Sequence, residues 1–232
     1  MPNLARIHPD LELKVSKQAR RMALRLDAKK RVVYLVVPSR TRVDKAYKFA
    51  WENRDWITEH LAGLPLPIPY ANGSILPIFG KKVRIKITCD PARTTTDIRL
   101  EDGKLIVETN KDDPSARIER FLKQESLKAL TELAHRKAAK IHKKINHVSV
   151  RDTKSRWGSC NDGGEISLSW RLIFAPRCAM DYVVAHEVAH LAYLDHSDKF
   201  WDVCHKLSYS YQKGKDWIHY HGHELLRFGA DS

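Results

Sequence analysis

The chain has no pair of cysteines in Cys-x-x-Cys spacing; its four, at 89, 160, 178 and 204, are scattered. That excludes a zinc ribbon and a thioredoxin-type redox motif. No run approaches the ~18 apolar residues that would cross a bilayer as a helix. The first residues, Met1-Pro2-Asn3-Leu4-Ala5-Arg6-Ile7-His8, lack the apolar core of a signal peptide. Export by the general route is therefore not expected, and a cytoplasmic protein with reduced thiols is. A Gly-rich phosphate loop, an acidic cluster suited to magnesium, internal repeats and low-complexity segments are also missing. Acidic residues are scarce: 28 Asp and Glu face 41 Lys and Arg, for a formal net charge of +13.

What is present is an ordinary globular composition, 43% hydrophobic and 30% charged over 232 residues, enough for one large or two small cores. The excess charge is spread along the chain rather than held in a tail. Its densest groups are Arg20-Arg21 with Arg25, Lys29-Lys30-Arg31, Lys81-Lys82 with Arg84 and Lys86, and Arg136-Lys137 with Lys140, Lys143 and Lys144. The last group recurs every three or four residues and reads as a positive helical stripe, which could bind nucleic acid or simply face solvent.

The pattern along the chain is α+β. The N-terminal region, residues 1–113, is β-rich with one helix, and a second, compact domain fills 114–232. Strands are expected at 11–15, 22–26, 31–38, 74–79, 83–88, 97–100 and 104–108. Val43 to Leu61 has helical spacing, with Ala46, Phe49, Ala50, Trp56, Ile57 and Leu61 on its buried side. Residues 63–70 form a proline-rich connector. Asp112-Asp113-Pro114-Ser115 signals a helix start, and Ala116 to Ile145 reads as one long amphipathic helix. Three short strands, 148–151, 156–160 and 166–170, are expected to form a small antiparallel sheet, with Asn161-Asp162-Gly163-Gly164 as the hairpin turn. A metal-binding helix runs from about Arg177 to Leu194, and a C-terminal helix from Lys199 to about Ser208.

That metal-binding assignment rests on His186-Glu187-Val188-Ala189-His190. Residues four apart share a helix face, so His186 and His190 can offer two imidazole nitrogens to one ion. Glu187 flanks that face and is placed to act as general base toward a water activated by zinc. The flanking Tyr182, Val183, Val184, Ala185, Val188, Ala189 and Leu191 mark a buried helix, in which such polar groups need partners. His196 is a third candidate ligand. From an unbroken helix it would face some 120° away, so the chain must stop near Leu194 and fold back. The only glutamate after Glu187 is Glu224, a rival ligand set behind a poorly helical stretch. The glycine of the metzincin pattern is Tyr193 here, so that family is excluded.

His196-Ser197-Asp198-Lys199-Phe200-Trp201 resembles the H-S-x-x-F-W run of the YgjP-like metallopeptidases. So do Arg156-Trp157-Gly158-Ser159-Cys160 and Ser167-Leu168-Ser169-Trp170-Arg171-Leu172, followed by Pro176 and Asp181-Tyr182-Val183-Val184. The resemblance is dense from about Val148 to Trp217 and thinner toward the N-terminus. The family usually has Asn-His-Ser where this chain has Asp195-His196-Ser197, and Leu-Asn where it has Leu168-Ser169. The site is also similar to that of SprT-like and Spartan proteases. The resemblance implies a zincin-like, zinc-dependent peptidase domain with three histidine ligands and a catalytic glutamate, acting on a peptide or protein.

Two other readings stand beside it. One is a metal-dependent hydrolase of nucleotides or phosphoanhydrides, which the basic character would suit. The other is a nucleic-acid-binding module, or a DNA-associated protease, using the positive stripe. Tyr182, Tyr193, His205, His219, His221 and His223 are candidates to stabilise the oxyanion, and Cys160 is a candidate redox-sensitive thiol.

Overall fold

The computed structural model describes residues 4–28, 30–153 and 156–229; Lys29 of the Lys29-Lys30-Arg31 group and the first three residues lie outside these. The architecture is α+β, with six α-helices and three small sheets among the described residues. The chain divides into two compact units, one ending at Pro67 and the other spanning Ile68–Gly229.

In the smaller unit, β1 (Leu11–Ser16), β2 (Ala23–Asp27) and β3 (Val32–Pro38) form a sheet in the order β1-β3-β2, with β3 parallel to β1 and antiparallel to β2. The single helix expected over 43–61 is two, α1 (Val43–Glu52) and α2 (Arg54–Ala62). The break falls at Asn53, whose side-chain amide donates to the Phe49 carbonyl at 2.8 Å. Asparagine thus competes with the backbone for a helical acceptor, a local alternative that periodicity does not register. Ala46, Ala50, Ile57 and Leu61 still pack on Val33, Leu35 and Val37 as the spacing requires.

The larger unit opens with β4 (Ile75–Ile78), β5 (Lys81–Cys89), β6 (Asp97–Glu101) and β7 (Lys104–Thr109), ordered β4-β5-β7-β6. Its hairpins turn through Phe79-Gly80 and Asp102-Gly103, each pair with positive φ, as two-residue turns between twisted strands require. The composition change near Asp113 marks the start of a helix and not the edge of a compact unit. The Asp113 carboxylate accepts the Ser115 N–H at 2.9 Å, and α3 (Ser115–Lys140) begins there. Leu76, Ile85, Leu105 and Val107 of the preceding sheet share one core with Leu122, Leu130 and Val184, so those strands belong with the segment that follows.

The helix α3 stops five residues before the expected Ile145. His142 takes a positive φ of 55°, and the Lys143 N–H turns back to the Ala138 carbonyl, closing the helix in a left-handed cap. Lys143 and Lys144 therefore lie past its end, and Lys137 is buried (4% exposed) against Asp181. Arg136 pairs with Glu132 one turn away. The continuous positive stripe read from the spacing is thereby broken, because one of its members serves the core.

Beyond α3, β8 (His147–Arg151), β9 (Gly158–Cys160) and β10 (Glu165–Ser169) form a second sheet of the unit in the order β8-β10-β9. The β9–β10 hairpin is antiparallel as expected, whereas β8 joins β10 in parallel, so the sheet is mixed. A short 3-10 turn over Trp170–Phe174 leads into α4 (Arg177–Ala189), followed by α5 (Asp198–Leu207) and α6 (Tyr211–His221). The segment expected to be poorly helical is thus α6. Its Gly214 lowers helix propensity but lets α6 cross α4 closely: a Cβ there would lie 2.3 Å from the Cys178 carbonyl oxygen.

Candidate metal centre

The helix α4 is apolar on most sides, with Ala179, Val183, Val184, Ala185, Val188 and Ala189 buried. Two acidic groups interrupt that pattern, and each has a separate environment. Asp181 takes up the buried Lys137 ammonium, the Ser208 hydroxyl (2.8 Å) and the Tyr209 N–H (3.2 Å), while Lys137 also donates to the Leu207 carbonyl at 2.7 Å. This network ties α4 to α3 and to the α5–α6 turn. Glu187 is 6% exposed, and among the described residues no hydrogen bond holds its carboxylate.

The helix ends five residues earlier than its pattern indicated, with His190 as its last residue in helical conformation. The chain then winds through Leu191–Tyr193 and folds back. The Asp195 carboxylate accepts the Ser197 N–H at 3.1 Å, a turn that also sets the start of α5. This reversal brings His196 to the other two imidazoles. Ring centroids stand 5.1 Å apart for His186–His190, 5.1 Å for His186–His196 and 4.9 Å for His190–His196. Phe200, wholly buried, packs 5.0, 4.5 and 4.7 Å from the same three rings in turn.

The donor set fits a divalent metal. One ring nitrogen from each histidine lies within 4.8 Å of the others, and Nε2 of His186 and His196 are 3.3 Å apart. Two nitrogens bound at 2.0–2.1 Å with a tetrahedral angle would stand about 3.4 Å apart. The His190 Nδ1 is 3.0 Å from the Tyr193 carbonyl oxygen, which can only accept, so that nitrogen carries the proton and Nε2 keeps a free lone pair. Burial, with the neighbouring His190 and His196, lowers the His186 pKa to about 4, so its imidazole is neutral as a ligand must be. Burial also lowers that of His190.

Glu187 lines a cleft of about 250 Å³ together with His186, Tyr182, Val183, Ile218, Arg156, Trp157 and Gly158. Burial raises its carboxyl pKa to about 7, against the opposing pull of Arg156. Gly158 is the reason the side chain fits. A Cβ at that position would stand 2.5 Å from both Cγ and Oε1 of Glu187, so β9 can approach α4 here only as glycine. Trp157 packs on Gly222 in the same way, with its indole nitrogen 3.0 Å from where a Cβ would be. Neither close approach has a signature in hydrophobic periodicity; the Arg-Trp-Gly run itself was the only signal.

Of the oxyanion candidates, Tyr182 lines the cleft with Glu187. Tyr193 contributes its carbonyl to His190, His205 lies over the Tyr211 ring, and His221 is 2.9 Å from the Glu224 carboxylate. His219 lines the neighbouring hollow over α6, and His223 is exposed. Glu224 is not part of the histidine group. Cys160 is a half-buried thiol whose pKa is pushed up to about 11 by burial and Glu187, the opposite of what a reactive thiolate needs.

Comparison with curated proteins and with solved structures found no match. The model of the YgjP-like metallopeptidase domain matches residues 20–221, which includes β2 and β3 of the smaller unit as well as the histidine cluster. By that match the chain belongs to the YgjP-like family, whose domain is that of a metal-dependent peptidase.

Proposed function

We propose that the protein is a zinc peptidase in which His186, His190 and His196 hold the metal and Glu187 is the general base. The observation that supports this most is the near-equilateral imidazole triangle, with a buried carboxylate on the wall of the adjoining cleft. Three imidazole nitrogens suit zinc with one coordination position left for substrate or water. When bound, zinc would supply Lewis acidity that makes a water acidic near neutral pH and polarises the scissile carbonyl.

The chain's own groups do the rest. Glu187, which no hydrogen bond engages among the described residues and whose pKa is near 7, accepts a proton from water and returns it to the leaving amine. Tyr182, whose hydroxyl is kept protonated by burial and which lines the cleft with Glu187, is the donor for the developing oxyanion. Arg156 keeps positive potential on the same wall. Four free thiols accord with action in the reducing cytoplasm.

Metal analysis and a peptide panel test this reading. About one zinc per chain and hydrolysis that a chelator stops and zinc restores are expected. A chain that binds no added zinc would end it. A second reading, hydrolysis of a phosphoanhydride, draws on one feature: Arg151, Arg156 and several serines border a hollow beside the cleft. A nucleotide panel run in parallel separates the two.

A further inference from the structure

Three hollows in the larger unit share wall residues. The first, about 540 Å³, lies over the β8-β10-β9 sheet and is bordered by Arg151 and Arg156. Arg156 also borders the cleft of His186 and Glu187. Tyr182 and Ile218, which line that cleft as well, reappear in a third hollow of about 440 Å³ over α6. The cleft of His186 and Glu187 is therefore flanked by a hollow on either side, each sharing wall residues with it, an arrangement that suits a chain passing across the site rather than ending there.

The two flanking hollows differ in charge. On the α6 side, Lys215 is balanced by Asp216, which accepts from the Gln212 amide at 2.8 Å. On the sheet side, Arg151 and Arg156 are exposed and neither makes an ion pair among the described residues, although Arg156 also acts on Glu187 in the cleft. The one carboxylate in that wall, Glu165, is held by the Asn161 amide at 2.9 Å. Strand register puts Ser149, Ser167 and Ser159 in a single row across β8, β10 and β9, and no hydrogen bond engages their hydroxyls among the described residues. The row spans two interstrand spacings, about 10 Å, with the guanidinium groups beside it. Donors spread over that distance suit successive side chains of an extended polypeptide, whose same-side residues recur about every 7 Å, better than one compact anion.

We infer that the protein binds polypeptide substrates with an acidic segment, Asp or Glu side chains on one side of the scissile bond, laid over Arg151, Arg156 and the serine row. This rests on the peptidase reading and assigns its substrate class. Arg156, shared by the sheet-side hollow and the cleft, is the specificity-determining residue.

The test uses the full-length, zinc-loaded Glu187→Gln chain, which should bind without cleaving, and fluorescein-labelled decapeptides read by anisotropy at low salt. A peptide with three acidic residues at one end should bind roughly tenfold more tightly than its Asn/Gln counterpart, as two exposed charge-assisted contacts allow. The margin should shrink as salt rises and vanish in Arg151→Gln/Arg156→Gln, whose melting temperature should match that of its parent. Equal binding of the two peptides, or a margin that survives the double substitution, overturns the inference. So does displacement of the acidic peptide by tripolyphosphate or a short single-stranded oligonucleotide at lower concentration than by unlabelled peptide, which would assign the donors to phosphate. Wild-type protein that cleaves neutral and acidic peptides alike overturns this inference and leaves the peptidase reading in place. If it cleaves none at all, both fall.

Discussion

Replacing Glu187 by glutamine should make the metal-free chain more stable and the enzyme inert. The carboxyl group ionises at about 7 in the folded protein against 4.5 for an unperturbed glutamate, because its 6%-exposed position penalises the charge. A carboxyl raised on folding contributes stability that is fully present below the unfolded value and is lost as pH rises through the folded one. Between pH 5 and pH 8 the metal-free wild type should therefore lose about 2–3 kcal/mol that Glu187→Gln does not lose, at roughly 1.4 kcal/mol per pH decade. The neighbouring histidines titrate in both proteins, so comparing the two at each pH removes their contribution. Urea unfolding after chelation, at pH 5 and pH 8, gives the four free energies required. In the zinc-loaded form the same variant should keep its metal and lose a factor of about 10²–10⁴ in turnover. An identical pH response in the two metal-free proteins would show that the carboxylate is not held in the low-polarity position described. Near-normal turnover with full zinc would remove it as the base.

Gly158→Ala should retain zinc but cut kcat by about tenfold or more, since the new methyl group must push the Glu187 side chain aside; unchanged kcat would mean that the contact is not rigid. Phe200→Ala should cost about 3–5 kcal/mol in urea unfolding and weaken zinc binding, because the ring packs against all three imidazoles; loss of stability without loss of metal affinity would separate packing from positioning. Lys137→Met should destabilise by about 3–5 kcal/mol, as it leaves the Asp181 carboxylate buried without its cation; a loss under about 1 kcal/mol would show that water reaches the pair.

The parts of the centre that were legible in the sequence depend on short-range geometry. The offset of four between His186 and His190 states a shared helix face, and the offset of ten to His196 demands a chain reversal, which the Asp195 turn provides. Hairpins at Asp102-Gly103 and Asn161–Gly164 were legible for the same reason, because a turn needs only its own residues. Helix lengths were overestimated where side-chain or backbone caps intervene, at Asn53 and at His142, since hydrophobic spacing continues past both. The burial of Lys137 was not legible at all. Its partner, Asp181, lies 44 residues away, and nothing in the local pattern distinguishes it from the exposed lysines around it.

The same distinction between local and distant partners separates the kinds of residue that build the centre and its surroundings. His186, Glu187, His190 and His196 bear metal-ligating or proton-accepting groups, so their types announce a candidate site. Gly158, Gly222 and Gly214 act by what they lack, each admitting a neighbour that a Cβ would exclude. Their partners are Glu187, Trp157 and the α4 backbone, and only the folded chain brings them together. The orienting partner of His190 belongs to a third kind. It is the Tyr193 backbone carbonyl, which any residue at that position could supply once the helix ends where it does. Asp195, the departure from the usual asparagine, leaves this arrangement intact, because its carboxylate is used by the Ser197 N–H to make the turn and a side-chain amide oxygen could accept the same bond. The substitution therefore changes the charge beside His196 by one unit while preserving the fold-back that delivers the third imidazole.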